Sequence, residues 1–494
     1  MTLIKKAGVN LMISKITNYA KNMENLNNIF MAVFFNVFGN LVMLLTTFIM
    51  VKTMTSDDYG SFRLLFTVFS FIAITIMLGR DSTILRLAND DKSAAIWDEV
   101  RYGIYSIVIG TGAFVYFADE VINIVFSNNV TKESYILSLV MLPLWGIYNM
   151  LTPLLRVNGR QNYVFFLNNF LLRFLKLPFF LIFLFLLSNS LKAAIYTMIA
   201  AQAFMLFLTL PMVISLYKHN RPNDSGLSVG FLHNLFPSLN LCFNSVIFIL
   251  LTTLTVVLVN KNSGVGSVAV FDIVVLICTL MLFPFMALAK SSEPYLRKND
   301  PNSVSKIQKN KKYSLLVVLT GCFIVIVFSK ELLVIFGPEY ISGQLALVFM
   351  AALFFISTLF GLSSEWLNMS GRARYNTISL VLCLGLSFFI GRELISEKGV
   401  VGGALTLGFC YVFYKLLSFL FAVRLNKLET LRLCFSLKAI GFSFIILIIS
   451  IVFSIVFSSF IIKAIFSVPI IALILILLIY FDESFFSSRT KNVI

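Results

Sequence analysis

Apolar residues fall along this chain in runs of about 17 to 27, each long enough as a helix to cross a hydrocarbon layer of about 30 Å. Short breaks rich in Gly, Pro, Ser, Asn and Asp separate them, such as Ser56-Asp57-Asp58 and Ser188-Asn189-Ser190. One stretch shows the pattern most clearly. It opens on Ile335-Phe336-Gly337-Pro338-Glu339-Tyr340, a turn in which Gly337-Pro338 interrupts helix and Glu339 requires water. An apolar run follows, and Gly371, Arg372 and Arg374 then mark a basic exit before the next run. The pattern predicts an all-α polytopic membrane protein of about 14 transmembrane helices.

Six spans make a first half, at 29–51, 59–78, 102–118, 134–155, 163–187 and 191–217. Six more follow, at 237–260, 266–289, 313–329, 343–369, 375–391 and 399–423, and a last hairpin covers 437–457 and 460–481. The expected organisation is an N-terminal segment (1–28), a six-helix lobe (29–217), a linker (218–236), a second lobe (237–424), the hairpin (425–481) and a tail (482–494). Matching polar punctuation makes the halves look like repeats. Asn158-Gly159-Arg160 parallels Ser370-Gly371-Arg372, and Asn36 and Asn40 recur as Asn240 and Asn244. Tyr59-Gly60 parallels Val265-Gly266, and Leu85-Arg86 parallels Leu296-Arg297. Six spans then six, both starting on one side, imply two lobes related by an axis along the membrane normal.

Composition agrees with this class: 59% of the 494 residues are hydrophobic and 13% charged, and the mean hydropathy is +0.92. The net charge of +16 would suit nucleic acid, but its placement points elsewhere. With a cytoplasmic N-terminus, roughly 27 Lys and Arg fall inside and about 7 outside. The loop 290–312 alone holds Arg297, Lys298, Lys306, Lys309 and Lys311. The charge therefore serves orientation and contact with anionic headgroups, and nucleic acid is not an expected partner. The Lys-dotted N-terminal segment lacks a signal-peptide core and reads as a surface-lying helix or a disordered tail. No two of the six cysteines have metal or redox spacing, and only two histidines occur, His219 and His233, so no metal or other cofactor is expected.

The Phe336–Tyr340 turn, the crossing after it and the exit Leu367-Asn368-x-x-Gly371-Arg372-x-Arg374-Tyr375-Asn376 resemble a known family. It is the polysaccharide-transport branch of the multidrug/oligosaccharidyl-lipid/polysaccharide (MOP) exporter superfamily, which includes the O-antigen flippases. Tyr59-Gly60 with Leu78-Gly79-Arg80 and Ile84-Leu85-Arg86 is similar to its second-span pattern. Gly399-Val400-Val401-Gly402-Gly403-Ala404 is similar to its glycine-rich entry to the twelfth span. The resemblance implies a flippase of the bacterial inner membrane, and the Lys and Arg distribution predicts that both termini are cytoplasmic. Its cargo would be an oligosaccharide repeat unit on undecaprenyl pyrophosphate, moved outward by alternating access for O-antigen or a similar surface polysaccharide. Membrane lipids are implied partners, with a polysaccharide polymerase and chain-length machinery as candidates. The final hairpin exceeds the family's twelve-helix core, and fourteen spans also occur in related lipid II flippases. A lipid II or multidrug exporter of the same fold is thus the nearest alternative. A membrane polymerase or glycosyltransferase would need a substantial outside loop, whereas the longest outside turns here are ~15 residues, and no enzyme site is evident.

Charge inside a span costs something like 2.5–3.5 kcal/mol on insertion scales, so such residues need a partner, water or a task. Arg173 and Lys176 fall about 15–20 Å along the fifth span, in one stripe with Asn169, and suggest a cationic patch for pyrophosphate or acidic sugars. Pairing with an acid or carbonyl within the bundle is the structural alternative. Lys415 is a candidate cation of the second lobe. Asp272 and Glu365 are candidate proton or cation sites that would drive transport, or solvated acids near either face. Arg63 and Lys463 read as snorkelling residues near outer ends. Asn36, Asn40, Asn240 and Asn244 suit either sugar hydroxyls or hydrogen bonds between helices.

Overall fold

The structure is a computed structural model, and it describes residues 35, 38–89, 93–126, 130–158, 160–219, 235–296, 301–370, 372–425, 437–457, 460, 463, 465, 467 and 469–471. The N-terminal segment, the C-terminal tail and the linker apart from its ends lie outside the described residues. Every described element is helical. The first half comprises α1 (Phe38–Thr53), then α2 (Ser56–Met77), α3 (Arg80–Asn89), α4 (Ser93–Tyr116) and α5 (Ala118–Val121). It continues through α6 (Lys132–Leu139), α7 (Met141–Val157), α8 (Gln161–Phe165), α9 (Leu172–Leu186) and α10 (Ser190–His219). The second half holds α11 (Leu235–Ser263), α12 (Val265–Leu296), α13 (Pro301–Val327) and α14 (Ser329–Phe336). After a 3-10 turn at Pro338–Gly343 come α15 (Gln344–Thr358), α16 (Ser363–Met369), α17 (Ala373–Leu425) and α18 (Leu437–Val456).

The polytopic architecture matches the expectation, although the count differs. Among the described residues, eight helices are long and apolar enough to cross a membrane, or ten if each of two bent pairs is one crossing. Those pairs are Ile96–Tyr116 with Ala118–Phe126, bent by 71°, and Ser314–Val327 with Ser329–Phe336, bent by 75°. At both ends of the described chain the apolar helices, Phe38–Thr53 and Ser443–Ser454, are shorter than a full span. The 53-residue α17 counts once, yet it would be about 80 Å long if straight. It is broken at Gly399, whose φ of 54° and ψ of −123° belong to no helix. Two further differences sit inside single expected spans. The crossing 343–369 is interrupted between α15 and α16, where Gly361 takes a φ of 67°. The crossing 163–187 carries a π-helical stretch, Phe166–Leu171, immediately before α9.

Local chemistry explains the ends. Thr55 caps α2 by accepting the Asp58 N–H at 3.1 Å, with Asp57 and Asp58 in the first turn. Left-handed Leu78 and Gly79 stop it, and the fully buried Arg80 that follows pairs with Glu99 at 2.7 Å.

The two halves meet along α2, which packs against α11 and α12 as well as α4, α7 and α10 of its own half. Gly60 permits the closest approach, since a Cβ there would strike the Val265 carbonyl. At this end of the bundle, the Ser56 end, Ser190 donates to Asp58 at 2.6 Å and Asn260 to the Phe126 carbonyl at 3.4 Å.

The repeat shows in a matched pair of hydrogen bonds. Arg173 donates to Asn40 in one half, and Thr377 donates to Asn244 at 2.5 Å in the other; both bonds span 133 residues. The terminal segment is fastened to the second half. Helix α18 packs on α13, and Lys463 is buried and bonded to Glu331 at 3.1 Å rather than snorkelling.

The backbone at Gly399 carries a testable cost. Gly399→Ala should lower stability by about 1–2 kcal/mol, because an L side chain is strained at that φ. Gly441→Ala, where nothing lies within 4 Å, should be neutral or slightly stabilising. Thermal unfolding of the two variants in detergent checks this; equal midpoints would contradict the strain assigned to Gly399.

Candidate functional site

Among the described residues, three of the polar clusters within the bundle gather the residues singled out from the sequence, and each rests on charges that a membrane would otherwise reject. The first joins the two halves. Tyr59 and Arg63 stand one turn apart on α2 and both reach Asp272 on α12. The Tyr59 hydroxyl donates to Asp272 Oδ2 at 2.7 Å, and the Arg63 guanidinium forms an ion pair with the same carboxylate. Tyr340 is fully buried beside it. Arg63 therefore spends its charge on the opposite half, where the sequence suggested snorkelling. Its signal was available as equal depth: Arg63 and Asp272 each lie two turns inside their helices from the Ser56 end.

The second cluster belongs to α9. Arg173 meets α1 through Asn40, close to where Gly39 faces the backbone of Asn169. Asn169 itself sits in the π-helical stretch, so the regular stripe expected of Asn169, Arg173 and Lys176 does not hold there. Lys176 lies over the Phe66 ring of α2, with Nζ 5.6 Å from its centroid, and Arg63 stacks on the same ring at 5.7 Å. Arg63 and Arg173 are the charges that bear on Lys176. Among the described residues no acid pairs with Arg173 or Lys176. Their face of α9 turns toward α1 and α2, while Phe174, Leu181 and Phe185 elsewhere on the helix are exposed.

The third cluster lies in the second half at the interrupted crossing. Lys415 on α17 donates to Ser364 at 2.5 Å and to Glu365 at 3.0 Å, both in the first turn of α16. Its ammonium also lies near the Phe285 and Tyr414 rings, at 5.7 and 5.9 Å. Two sequence candidates, one read as a cavity cation and one as an acid for coupling, are thus brought together as a pair. Ser418 donates to Asn376 at 3.0 Å, and Asn376 to Asn368 at 3.1 Å. Asn40 and Asn244 both act as acceptors between helices. Asn36 and the side chain of Asn240 lie outside the described residues. An apolar groove of about 400 Å³ lies apart from these charges, between the two parts of α17, lined by Leu386, Ile390, Phe409 and Leu416.

At the level of sequence, no family profile and no characterised protein matches the chain. Solved structures resemble it throughout. The lipid II flippase MurJ in an inward closed conformation superposes with a TM-score of 0.67 at 14% identity, over 90% of this chain and 97% of that one. An inward-facing multidrug resistance MATE family transporter of the MOP superfamily gives 0.61 at 14%, over 81% and 98%. The Vibrio cholerae MATE transporter VcmN gives 0.58 at 13%, over 82% and 98%. The fold is that of the MOP-superfamily transporters. At such low identity the likeness establishes architecture alone.

The Lys415–Glu365 pair makes a direct prediction. Glu365→Gln should destabilise the protein by about 3 kcal/mol, because it leaves a buried ammonium short of its counter-charge. The double variant Lys415→Met, Glu365→Gln should recover most of that loss. Melting temperatures in detergent distinguish the two; a double variant as unstable as the single one would show that the pair is not the unit.

Proposed function

We propose that the protein is a flippase for lipid-linked oligosaccharides, carrying repeat units on undecaprenyl pyrophosphate across the bacterial inner membrane. One observation carries this reading: Arg173 and Lys176 bring positive charge deep into the first half, with no acid beside them among the described residues. Such a patch suits a cargo whose polar head is a pyrophosphate. Arg173 offers a planar fork for phosphate oxygens and Lys176 a compact charge. The Phe66 ring, which Lys176 and Arg63 both approach, bounds the patch on the α2 side. The two halves would rock about their contact along α2 while the lipid tail stays in the bilayer. This requires no covalent chemistry. A polysaccharide polymerase and chain-length machinery would take the product on the far side.

A second reading is supported by the closer superposition on the lipid II flippase, which extends over more of this chain than the MATE transporters do. A lipid II cargo would use the same cationic patch, so the two readings differ in the sugar and share the head-group chemistry.

Two outcomes are expected. In a strain lacking its own flippase, the Arg173→Ala, Lys176→Ala double variant should restore surface polysaccharide at least about tenfold less well than the parent, normalised to protein in the membrane. Arg173→Lys should retain part of the activity, since it keeps charge and loses the fork. Full complementation by the double variant would end the cationic-site proposal. The Lys and Arg distribution further supports a periplasmic Ser56 end. A cysteine at Lys306→Cys, in a background without native cysteines, should resist an impermeant thiol reagent in intact spheroplasts and react after lysis.

A further inference from the structure

Arg63 connects two of the clusters. Its guanidinium pairs with Asp272 of the other half, and it shares the Phe66 ring with Lys176. Three cations of the first half, Arg63, Arg173 and Lys176, therefore converge, and only Arg63 among them is paired with a described acid, Asp272 of α12. The pairing is also incomplete. The Nε–H of Arg63 is buried and meets no acceptor among the described residues, and a buried donor left unpaired is costly. Arg63 thus retains capacity for a second anion while it holds the first.

We infer that Arg63 is a third ligand of the anion site, and that Asp272 is the stand-in counter-ion that occupies it when no cargo is bound. Pyrophosphate entering between Lys176 and Arg63 competes with Asp272 for the guanidinium. A pyrophosphate carries about two negative charges against one for a carboxylate and matches the guanidinium fork, so the competition favours the cargo. Losing Arg63 weakens the ion pair that, among the described residues, ties α2 to α12 near the Ser56 end, and leaves Asp272 its bond from Tyr59. Closure and anion binding are then reciprocal: each weakens the other by the same factor. An empty transporter stays shut at that end, and a neutral lipid does not open it. The inference rests on the anion-site reading of Arg173 and Lys176 and adds a consequence that can fail separately.

A closure reporter follows from the packing. A Cβ at Gly266 would lie 2.9 Å from Asp57 Oδ1, so Asp57→Cys with Gly266→Cys, in a cysteine-free background, should form a disulfide readily when the halves are closed. Rates of disulfide formation in the full-length, detergent-solubilised protein would be compared with no addition, with farnesyl pyrophosphate, with inorganic pyrophosphate and with farnesol. Farnesyl pyrophosphate should slow cross-linking by about fivefold or more, and farnesol should leave it unchanged. An equal response to inorganic pyrophosphate assigns the effect to free phosphate chemistry, whereas a response to the lipid alone assigns it to a lipid head group; both support the competition. Asp272→Asn should slow cross-linking to a similar degree without any ligand. The exchange Arg63→Asp, Asp272→Arg guards against misfolding as the cause: it should restore cross-linking and abolish the response to pyrophosphate. Parent-like cross-linking in Asp272→Asn, or no effect of either pyrophosphate on the parent, overturns the inference. Neither result would alter complementation by the Arg173→Ala, Lys176→Ala variant, which tests the flippase reading by itself.

Discussion

Hydrocarbon gives a charged side chain no water, so each charge in the bundle must find an opposite charge, a hydrogen-bond partner or a hydrated cavity. The protein meets this demand mostly in pairs. Arg80 is matched to Glu99, Lys463 to Glu331, Lys415 to Glu365 and Arg63 to Asp272. Arg80–Glu99 and Lys415–Glu365 stay within one half of the molecule, and Lys463–Glu331 fastens the terminal segment to the second. The fourth crosses between halves, which turns a solution to an electrostatic problem into a joint. Where the matching stops, at Arg173 and Lys176, the bundle holds positive charge that no described acid offsets.

Much of the architecture was legible in the sequence, because span length and polar punctuation obey the thickness of the bilayer. The Gly399 break could be anticipated as the turn before a twelfth crossing. Other features were not legible, for reasons that are local. The interruption at Gly361 looks like continuous helix in an apolar run, since glycine is tolerated in such runs and its left-handed φ leaves no compositional mark. The π-helical stretch before α9 shifts Asn169 off the stripe that a regular 3.6-residue period predicts. Lys415 and Glu365 were each visible as costly residues, but only tertiary contact shows that each is the other's partner. Arg63 was misread because a cation near a helix end has two inexpensive options, the interface or an acid at equal depth, and sequence alone does not rank them.

The repeat illuminates how the site became one-sided. The Arg173–Asn40 and Thr377–Asn244 bonds occupy equivalent places and use the same kind of acceptor. Both tie an early helix of a half to a later one, with Asn40 and Asn244 as the acceptors. The donor differs: a guanidinium in one half, a neutral hydroxyl in the other. A shared scaffold position has thus been left neutral on one side and charged on the other, and the charged side is where Lys176 also lies.

That asymmetry matters for how the protein sits in an energised membrane. The Lys415–Glu365 pair is a near-neutral dipole, and moving it through the transmembrane field does little electrical work. Arg173, with Lys176 beside it, carries uncompensated charge, worth about 2.3 kcal/mol for each full charge carried across 100 mV, in proportion to the fraction of the field traversed. A potential negative on the cytoplasmic side draws such charge inward when it is bare. It draws much less on the same charge once an anionic head group covers it. On the flippase reading proposed above, the membrane voltage itself would then bias the unloaded protein toward its cytoplasm-facing form and release that bias on loading, making the return stroke the voltage-sensitive half of the cycle.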